Sequence, residues 1–403
     1  MSDHPIAISL RPENPDFLDL PWSNPLSEWQ GHCQRLAEMP HGLSRHPVVF
    51  VNYAGVIFAL KELPPRLAEQ EYDLLRQIED LRLPVVTAVG HTQTETVQGQ
   101  ASILITRYLD RSLPYRTLFM RAGLTHIREG LLDAMAGLLV QVNLAGVFWG
   151  DCSLSNVLFR RDAGALQAYL VDAETAEVHP SPLPPTLRHH DLEIMDENVS
   201  GELKDLAAAK ELPEGISIFD TGAYIKQRYQ SLWEEITREE VISTAERYRI
   251  HERIRALNAL GFSVGEVELL TAEDGERIRL RVVVTDRNFH REQLTNLTGI
   301  EAEEMQARKI MNEIHEIKAT LSQRNNLNMP LSAAAYYWLE HVYLPVVEEL
   351  HDLVDDYTSA IELYCQVLEH KWFLSEKEHR DVGHQVALQD YLVRFAKDKD
   401  DRE

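Results

Sequence analysis

Cysteine is scarce in this sequence: Cys33, Cys152 and Cys365 are the only three, and they lie far apart. An odd count without metal-ligand spacing argues against a disulfide framework and a cysteine-based metal site, and a reducing cytoplasm is the expected compartment. Long apolar runs are also missing. No stretch of about 18 apolar residues occurs, so no helical membrane span is expected. The opening residues carry Pro5, Pro12 and Pro15 among scattered acids, unlike a signal or transit peptide. Basic charge is the third shortage. Lys and Arg number 40 against 64 Asp and Glu, a net charge of −24. Such a field repels phosphate backbones, so nucleic acid is not an expected partner of the surface as a whole.

What is present is a globular composition, 44% apolar and 26% charged over 403 residues, long enough for two domains. Residues 1–44 read as an irregular extension punctuated by Pro21, Pro25 and Pro40. Two strand-like runs, "VVFV" (48–51) and "VIFALKEL" (56–63), flank "NYAG" (52–55) and read as a hairpin. Leu67, Leu74, Leu75, Ile78 and Leu81 then follow helical spacing. "VVTAV" (85–89) and "SILITRYL" (102–109) are strand-like, with a polar link between them. The order is strand, strand, helix, strand, strand. From 125, the residues Ile127, Leu131, Met135, Leu138, Leu139 and Val142 form one helical stripe, and Gly146 suits its stop.

The next stretch, "FWGDCSLSNVLF" (148–159), sets Asp151 and Asn156 five positions apart among apolar neighbours. "NVLFR" and "AYLVD" bracket "RDAGAL" and read as a second hairpin, which returns Asp172 to the side of Asn156. Asn156 and Asp172 offer hard oxygen ligands of the kind Mg²⁺ takes together with substrate phosphates. Asp151 is left to orient a hydroxyl and accept its proton, the division of labour in kinase phosphoryl transfer.

This arrangement resembles the protein-kinase-like superfamily. "GDCSLSN" keeps the Asp-to-Asn spacing of the catalytic-loop template, and Asp172 in "LVDAE" stands where the family has its metal-binding aspartate. The resemblance implies that Lys61 in "FALKEL" is the ATP-phosphate lysine and Glu71 its helix partner, with Glu69 the alternative if the helix phase differs. "LITRYL" resembles the hinge, with Thr106 near its start. The flavour is closer to lipopolysaccharide and small-molecule kinases than to regulatory protein kinases. The whole chain resembles bacterial proteins in which such a lobe precedes a C-terminal DUF4032 domain. Departures stand beside these matches. Trp149-Gly150 precede Asp151 where the template has His-Arg. No G-x-G-x-x-G is present, "NYAG" holding a single glycine, Gly55. The metal motif reads Asp-Ala-Glu, which makes Glu174 either an extra ligand or a turn cap, and A-P-E is absent.

Taken singly, these residues have plainer readings. Asp151 and Asn156 are common turn formers. Lys61 can be an exposed strand lysine, and Glu71 a solvated helix acid. The acid beside Cys152 disfavours its thiolate. His189-His190-Asp191 resembles a metal cluster, but it falls at the end of a Pro-rich segment, 179–190, that reads as a loop. "SEKE" (375–378) matches a helix capping box.

Residues 191–212 look helical, and "LPEG" (212–215) marks a boundary. Beyond it the chain reads as mainly helical, with Ile310, Ile314, Ile317 and Leu321 on one stripe and 331–354 as another helix. One hairpin around Asp274-Gly275 pairs Leu269 with Leu280, Val267 with Val282 and Glu268 with Arg281. The expected fold is therefore α+β: a two-lobed kinase-like domain at 45–212, then a mainly helical domain at 213–403 with a β-hairpin. The expected activity is ATP- and Mg²⁺-dependent transfer to a hydroxyl of a small molecule, glycan or lipid-linked sugar. The alternative is a nucleotide-sensing pseudokinase whose C-terminal domain binds a protein partner.

Overall fold

A computed structural model describes residues 8–39, 45–96, 99–120, 125–212, 216–238, 240–243, 266–271, 277–283, 288–355 and 358–395. The chain forms two compact units, one of residues 1–160 with 168–235, the other of 161–167 with 236–403.

The first unit opens with six antiparallel strands: β1 (Ile8–Leu10), β2 (Leu36–Ala37), β3 (Val48–Tyr53), β4 (Val56–Leu63), β5 (Ala88–Thr96) and β6 (Gly99–Arg107). Their order is β1-β5-β6-β4-β3-β2. One helix, α1 (Leu67–Asp80), separates β4 from β5. The β3–β4 hairpin turns at Ala54-Gly55, both at positive φ, and Gly55 N donates to Asn52 Oδ1 at 2.8 Å. That is the chemistry expected of "NYAG". The strand period of two then sorts β4. Phe58 and Leu60 join one core cluster, while Ala59 and Lys61 line the opposite, cleft side. The polar link expected after 89 is itself strand. Thr92 and Thr94 are buried and paired across to Ile103 and Ala101.

The N-terminal segment is not an irregular extension. It supplies both edge strands, and Phe17, Trp22 and Trp29 pack against Val51, Phe58, Leu60 and Ile105. Glu62 Oε2 accepts from Leu26 N at 2.6 Å and fixes this cover on the sheet. The prolines punctuate tight turns between large apolar residues, so an irregular backbone still buries a core.

Helices dominate the rest of the first unit. Short elements β7 (Leu113–Pro114) and α2 (Tyr115–Met120) lead into α3 (Thr125–Leu144). Its Leu131, Met135, Leu138, Leu139 and Val142 are buried as the stripe predicts; the Ile127 side chain lies outside the described residues. Gly146 ends the helix at φ +87°, and a Cβ there would meet His179 O at 2.3 Å. Then come β8 (Val147–Phe148), the hairpin β9 (Val157–Asp162) and β10 (Ala165–Leu170), β11 (Glu177–Val178), α4 (Pro185–Ala208) and α5 (Ile218–Thr237). Helix α4 starts inside the segment read as a loop, because Pro185 sits in its first turn, where a missing N–H costs nothing.

The first compact unit continues past 212–215 to 235. Helix α5 is held by the first unit. Tyr229 OH donates to Asn143 Oδ1 at 2.9 Å, Lys226 pairs with Asp196 at 2.6 Å, and the Arg188 guanidinium lies 3.7 Å from the Trp233 ring centre. Residues 213–215 lie outside the described residues.

In the second unit, β12 (Glu240–Ser243), β13 (Glu266–Thr271) and β14 (Arg277–Val283) form a sheet ordered β12-β14-β13. The β13–β14 register pairs Val267 with Val282, Glu268 with Arg281 and Leu269 with Leu280, as expected. The Asp274-Gly275 turn lies outside the described residues, and β12 is an addition to the expected hairpin. Helices follow: α6 (Phe289–Thr298), α7 (Glu304–Asn325), α8 (Leu331–Trp338), α9 (Leu344–Glu349), α10 (Ala360–Glu378) and α11 (His384–Phe395).

The helix expected over 331–354 does not run as one regular α-helix: it is continuous from Leu331 to Glu349 with a π turn inside it, and a 3-10 turn follows at His351–Leu353. A π turn at Leu339–Tyr343 precedes Pro345, whose ring removes one backbone donor and forces the widening. "SEKE" does not begin a helix either. It closes α10, where Ser375 Oγ accepts from Val382 N. The segment 161–167 is held within this unit. Asp162 accepts from Met305 N at 3.1 Å and Gln306 N at 2.8 Å at the start of α7, and Glu362 accepts from Ala163 N and Gly164 N, both at 2.8 Å.

The core of this unit is centred on Trp338, with a buried acid beside it. Glu313 accepts from Trp338 Nε1 at 2.9 Å and from Tyr364 OH, and it bonds His384 Nε2, with Lys371 3.8 Å away. Burial alone would push this carboxyl up; the His384 and Tyr364 bonds and the Lys371 charge outweigh it and hold the group below the ordinary glutamate value. Its contribution to stability is therefore complete above the ordinary glutamate range and is lost as pH falls through the depressed value. Glu313→Ala should cost about 3–5 kcal/mol in denaturant unfolding, and Glu313→Gln should flatten the acid limb of stability against pH. A loss below about 1 kcal/mol for the alanine variant would contradict this account of the core.

Candidate active site

Lys61, Thr106, Asp151, Asn156 and Asp172 line one cleft of about 730 Å³ in the first unit. Lys61 lies on β4, and its Nζ donates to both carboxylate oxygens of Glu71 at 3.2 and 3.1 Å and to Asp172 Oδ2 at 2.6 Å. Glu71 stands behind the lysine on α1, 1% exposed. The helix phase thus selects Glu71, and Glu69 is exposed. Thr106 lies on β6 opposite Ala59 of β4, at the sheet end that leads to Tyr108 and Leu109.

Backbone pairing brings the later residues to the lysine. Val85 bridges Leu170 in parallel, with Val86 N donating to Leu170 O and Leu170 N to Pro84 O. One residue on, Val171 N donates to Asn156 O at 3.0 Å. Asp172 is therefore placed beside Asn156 and within reach of Lys61, as the hairpin reading requires.

The loop carrying Asp151 is fixed by groups that linear reading missed. Asp191 is fully buried on α4 and accepts from Trp149 N at 3.0 Å, Gly150 N at 2.9 Å and Asn143 Nδ2 at 3.0 Å. Burial pushes its carboxyl up, while these bonds pull it down, burial prevailing. Gly150 sits at φ +78°, where a Cβ would meet Thr175 O at 2.8 Å. Trp149, in the place of the template histidine, is buried and donates its indole N–H to Asp172 O at 3.0 Å. Glu202 accepts from Leu154 N and Ser155 N. Asn198 Nδ2 donates to Asp151 Oδ1 at 2.8 Å, and Asn156 Nδ2 donates to Asp151 Oδ2 at 3.1 Å. Asp191, Asn198 and Glu202 recur at i, i+7 and i+11, which is one face of a helix; that polar face was the signal available in the sequence. His189 and His190 are not part of it. They are exposed on the same helix, each beside Glu193.

Charge in the cleft is unbalanced. Carboxylate oxygens of Glu71, Asp172 and Glu174 lie within 4.8 Å of one another, with Lys61 between them and His46 3.6 Å from Glu174. Burial first, then the Asp172 charge, pushes Glu71 up to about 8 against the pull of Lys61. Burial works against the Lys61 ammonium, but the charges of Glu71 and Asp172 prevail and raise its pKa. The set has hard oxygens in excess of cations, the donor chemistry of a Mg²⁺ site. Cys152 is fully buried beside Asp191, and burial pushes its thiol up, so it is inert.

Comparison with known proteins fits this geometry. Residues 58–211 match the Lipopolysaccharide kinase (Kdo/WaaP) family, and residues 231–395 match a domain of unknown function, DUF4032. The first unit is thus kinase-like, with a mainly helical region after it. Among solved structures, "WaaP in complex with acyl carrier protein" is similar over 63% of this chain and 99% of that one, at 16% identity and a TM-score of 0.36, an overlap too loose to argue from. A search of the curated proteins gives no match.

Asp191→Ala would take the side-chain acceptor from Trp149 N and Gly150 N and leave Asn143 Nδ2 with Val147 O alone. It should cost about 3 kcal/mol or more in denaturant unfolding, whereas Asp196→Ala, which breaks a half-exposed pair with Lys226, should cost under about 1 kcal/mol. Equal losses for the two would refute the anchoring role of Asp191.

Proposed function

We propose that this chain is an ATP- and Mg²⁺-dependent phosphotransferase acting on a hydroxyl of a small molecule, a glycan or a lipid-linked sugar. The observation that carries the reading is the position of Lys61 Nζ, between Glu71 and Asp172 in the cleft that Asp151 and Asn156 also line. Lys61 would hold the nucleotide phosphates, with Glu71 orienting it. Thr106 and the sheet edge beside it would receive the base.

Mg²⁺ would be held by Asp172 and the carbonyl oxygen of Asn156, whose amide nitrogen is already committed to Asp151. The excess of carboxylates supports a cation there, and Glu174 is a further donor within reach of the same set. When bound, the metal supplies charge neutralisation at the transferring phosphate. The chain's own residues do the rest. Asp151 accepts the proton of the attacking hydroxyl, its carboxylate aimed by Asn156 and Asn198. Trp149 ties the Asp151 loop to the Asp172 backbone, so base and metal ligand keep their spacing. The absence of A-P-E in the sequence favours a small acceptor over a docked protein substrate.

ATP with Mg²⁺ at 100 times its Kd should raise the unfolding free energy by about 2.7 kcal/mol, read as a thermal shift that EDTA removes. Asp151→Ala should keep this shift and lower ATP turnover by about 10²–10⁴. A shift without any turnover sensitive to Asp151 would leave a nucleotide sensor in place of an enzyme. No shift would end both readings.

A further inference from the structure

The cleft needs groups over the nucleotide phosphates, and the sheet identifies where they come from. Strand β3 runs antiparallel to β4 with Val48 opposite Lys61 and Tyr53 opposite Val56. The glycine turn at Ala54-Gly55 therefore lies at the far end of the pair, about 17 Å from Lys61 at about 3.4 Å per residue. It cannot cover phosphates held by that lysine. The chain that enters β3 beside Lys61 is the connection from β2, and its Arg45 and His46 line the cleft with Val48.

Arg45 brings a guanidinium and His46 an imidazole to the phosphate end of the site. His46 Nε2 lies 3.6 Å from Glu174 Oε2, and Glu174 lies 3.9 Å from Lys61 Nζ. Arg45 is exposed, and no ion pair holds it among the described residues. Arg116, also in the lining, is already engaged by Glu211. A guanidinium presents a planar fork of donors matched to phosphate oxygens. We infer that Arg45 and His46 bind the terminal phosphates of the nucleotide, replacing with side-chain N–H donors the backbone N–H cover that a glycine-rich loop would give. This inference rests on the nucleotide-binding reading of the cleft.

Calorimetric titration of the full chain with AMP, ADP and a non-hydrolysable ATP analogue, each with excess Mg²⁺, tests it. The Arg45→Ala/His46→Ala double variant should bind the ATP analogue about tenfold or more weakly, ADP with a smaller loss, and AMP within about twofold of the unaltered chain. Retained AMP binding reports an intact fold. Arg45→Lys, alone, should recover part of the loss shown by Arg45→Ala, since it keeps the charge and loses the fork. Equal weakening of all three nucleotides, or none of any, would overturn the inference while leaving the nucleotide site standing. Failure of the unaltered chain to bind any nucleotide would overturn the parent reading, and this one with it.

Discussion

The arrangement of the first unit depends on one ammonium group bonded to two carboxylates that come from distant parts of the chain. Lys61 arrives on a strand, Glu71 on the following helix, and Asp172 on the return of a hairpin more than a hundred residues later. Unit charges about 4 Å apart interact by about 4 kcal/mol at an effective dielectric of about 20, and both acids are partly or wholly removed from water. A third acid, Glu174, lies 3.9 Å from the same ammonium, so three acids share one lysine. The geometry thus stores a demand for positive charge at the place where a metal and a phosphate would meet. It is this imbalance, more than any single residue, that makes the cleft look like a site for phosphoryl transfer.

A second set of groups holds the Asp151 loop in position. Helix α4 presents Asp191, Asn198 and Glu202 to the loop that carries Asp151, and together they accept from or donate to six of its polar groups. Trp149 then joins that loop to the carbonyl of Asp172. A loop held at this many points loses little further entropy when substrate binds, which is the physical meaning of preorganisation here. The departure at Trp149-Gly150 from the His-Arg of the catalytic-loop template is accommodated in the same way. The indole N–H makes a bond to the Asp172 carbonyl, and Gly150 adopts a backbone conformation that a side chain would obstruct.

How much of this was legible depended on whether the chemistry was local. The β3–β4 hairpin and the β13–β14 register follow from alternation and turn residues, and both were readable. The spacing of Asp151, Asn156 and Asp172 was readable because one loop and one hairpin set it. Asp191 was not, since its partners are backbone groups some forty residues away and its neighbours His189 and His190 drew attention to themselves. The N-terminal cover was hidden because its apolar residues, Phe17, Trp22 and Trp29, follow turns rather than a strand or helix period. "LPEG" interrupts the chain ahead of α5, although Tyr229 and Trp233 bind that helix to the first unit. Gly55 is the one glycine where a glycine-rich loop is expected. Only the strand register shows that this turn faces away from Lys61 and that Arg45 and His46 stand near it.

The central claim is that the lysine and the oxygen ligands serve one nucleotide and one metal. A crystal structure of the full chain with a non-hydrolysable ATP analogue and Mn²⁺, the metal located by its anomalous signal, addresses it most directly. The account predicts Lys61 Nζ on phosphate oxygens, still bonded to Glu71, with Mn²⁺ on Asn156 and Asp172. Nucleotide bound outside this cleft, or metal held without Asp172, would contradict it.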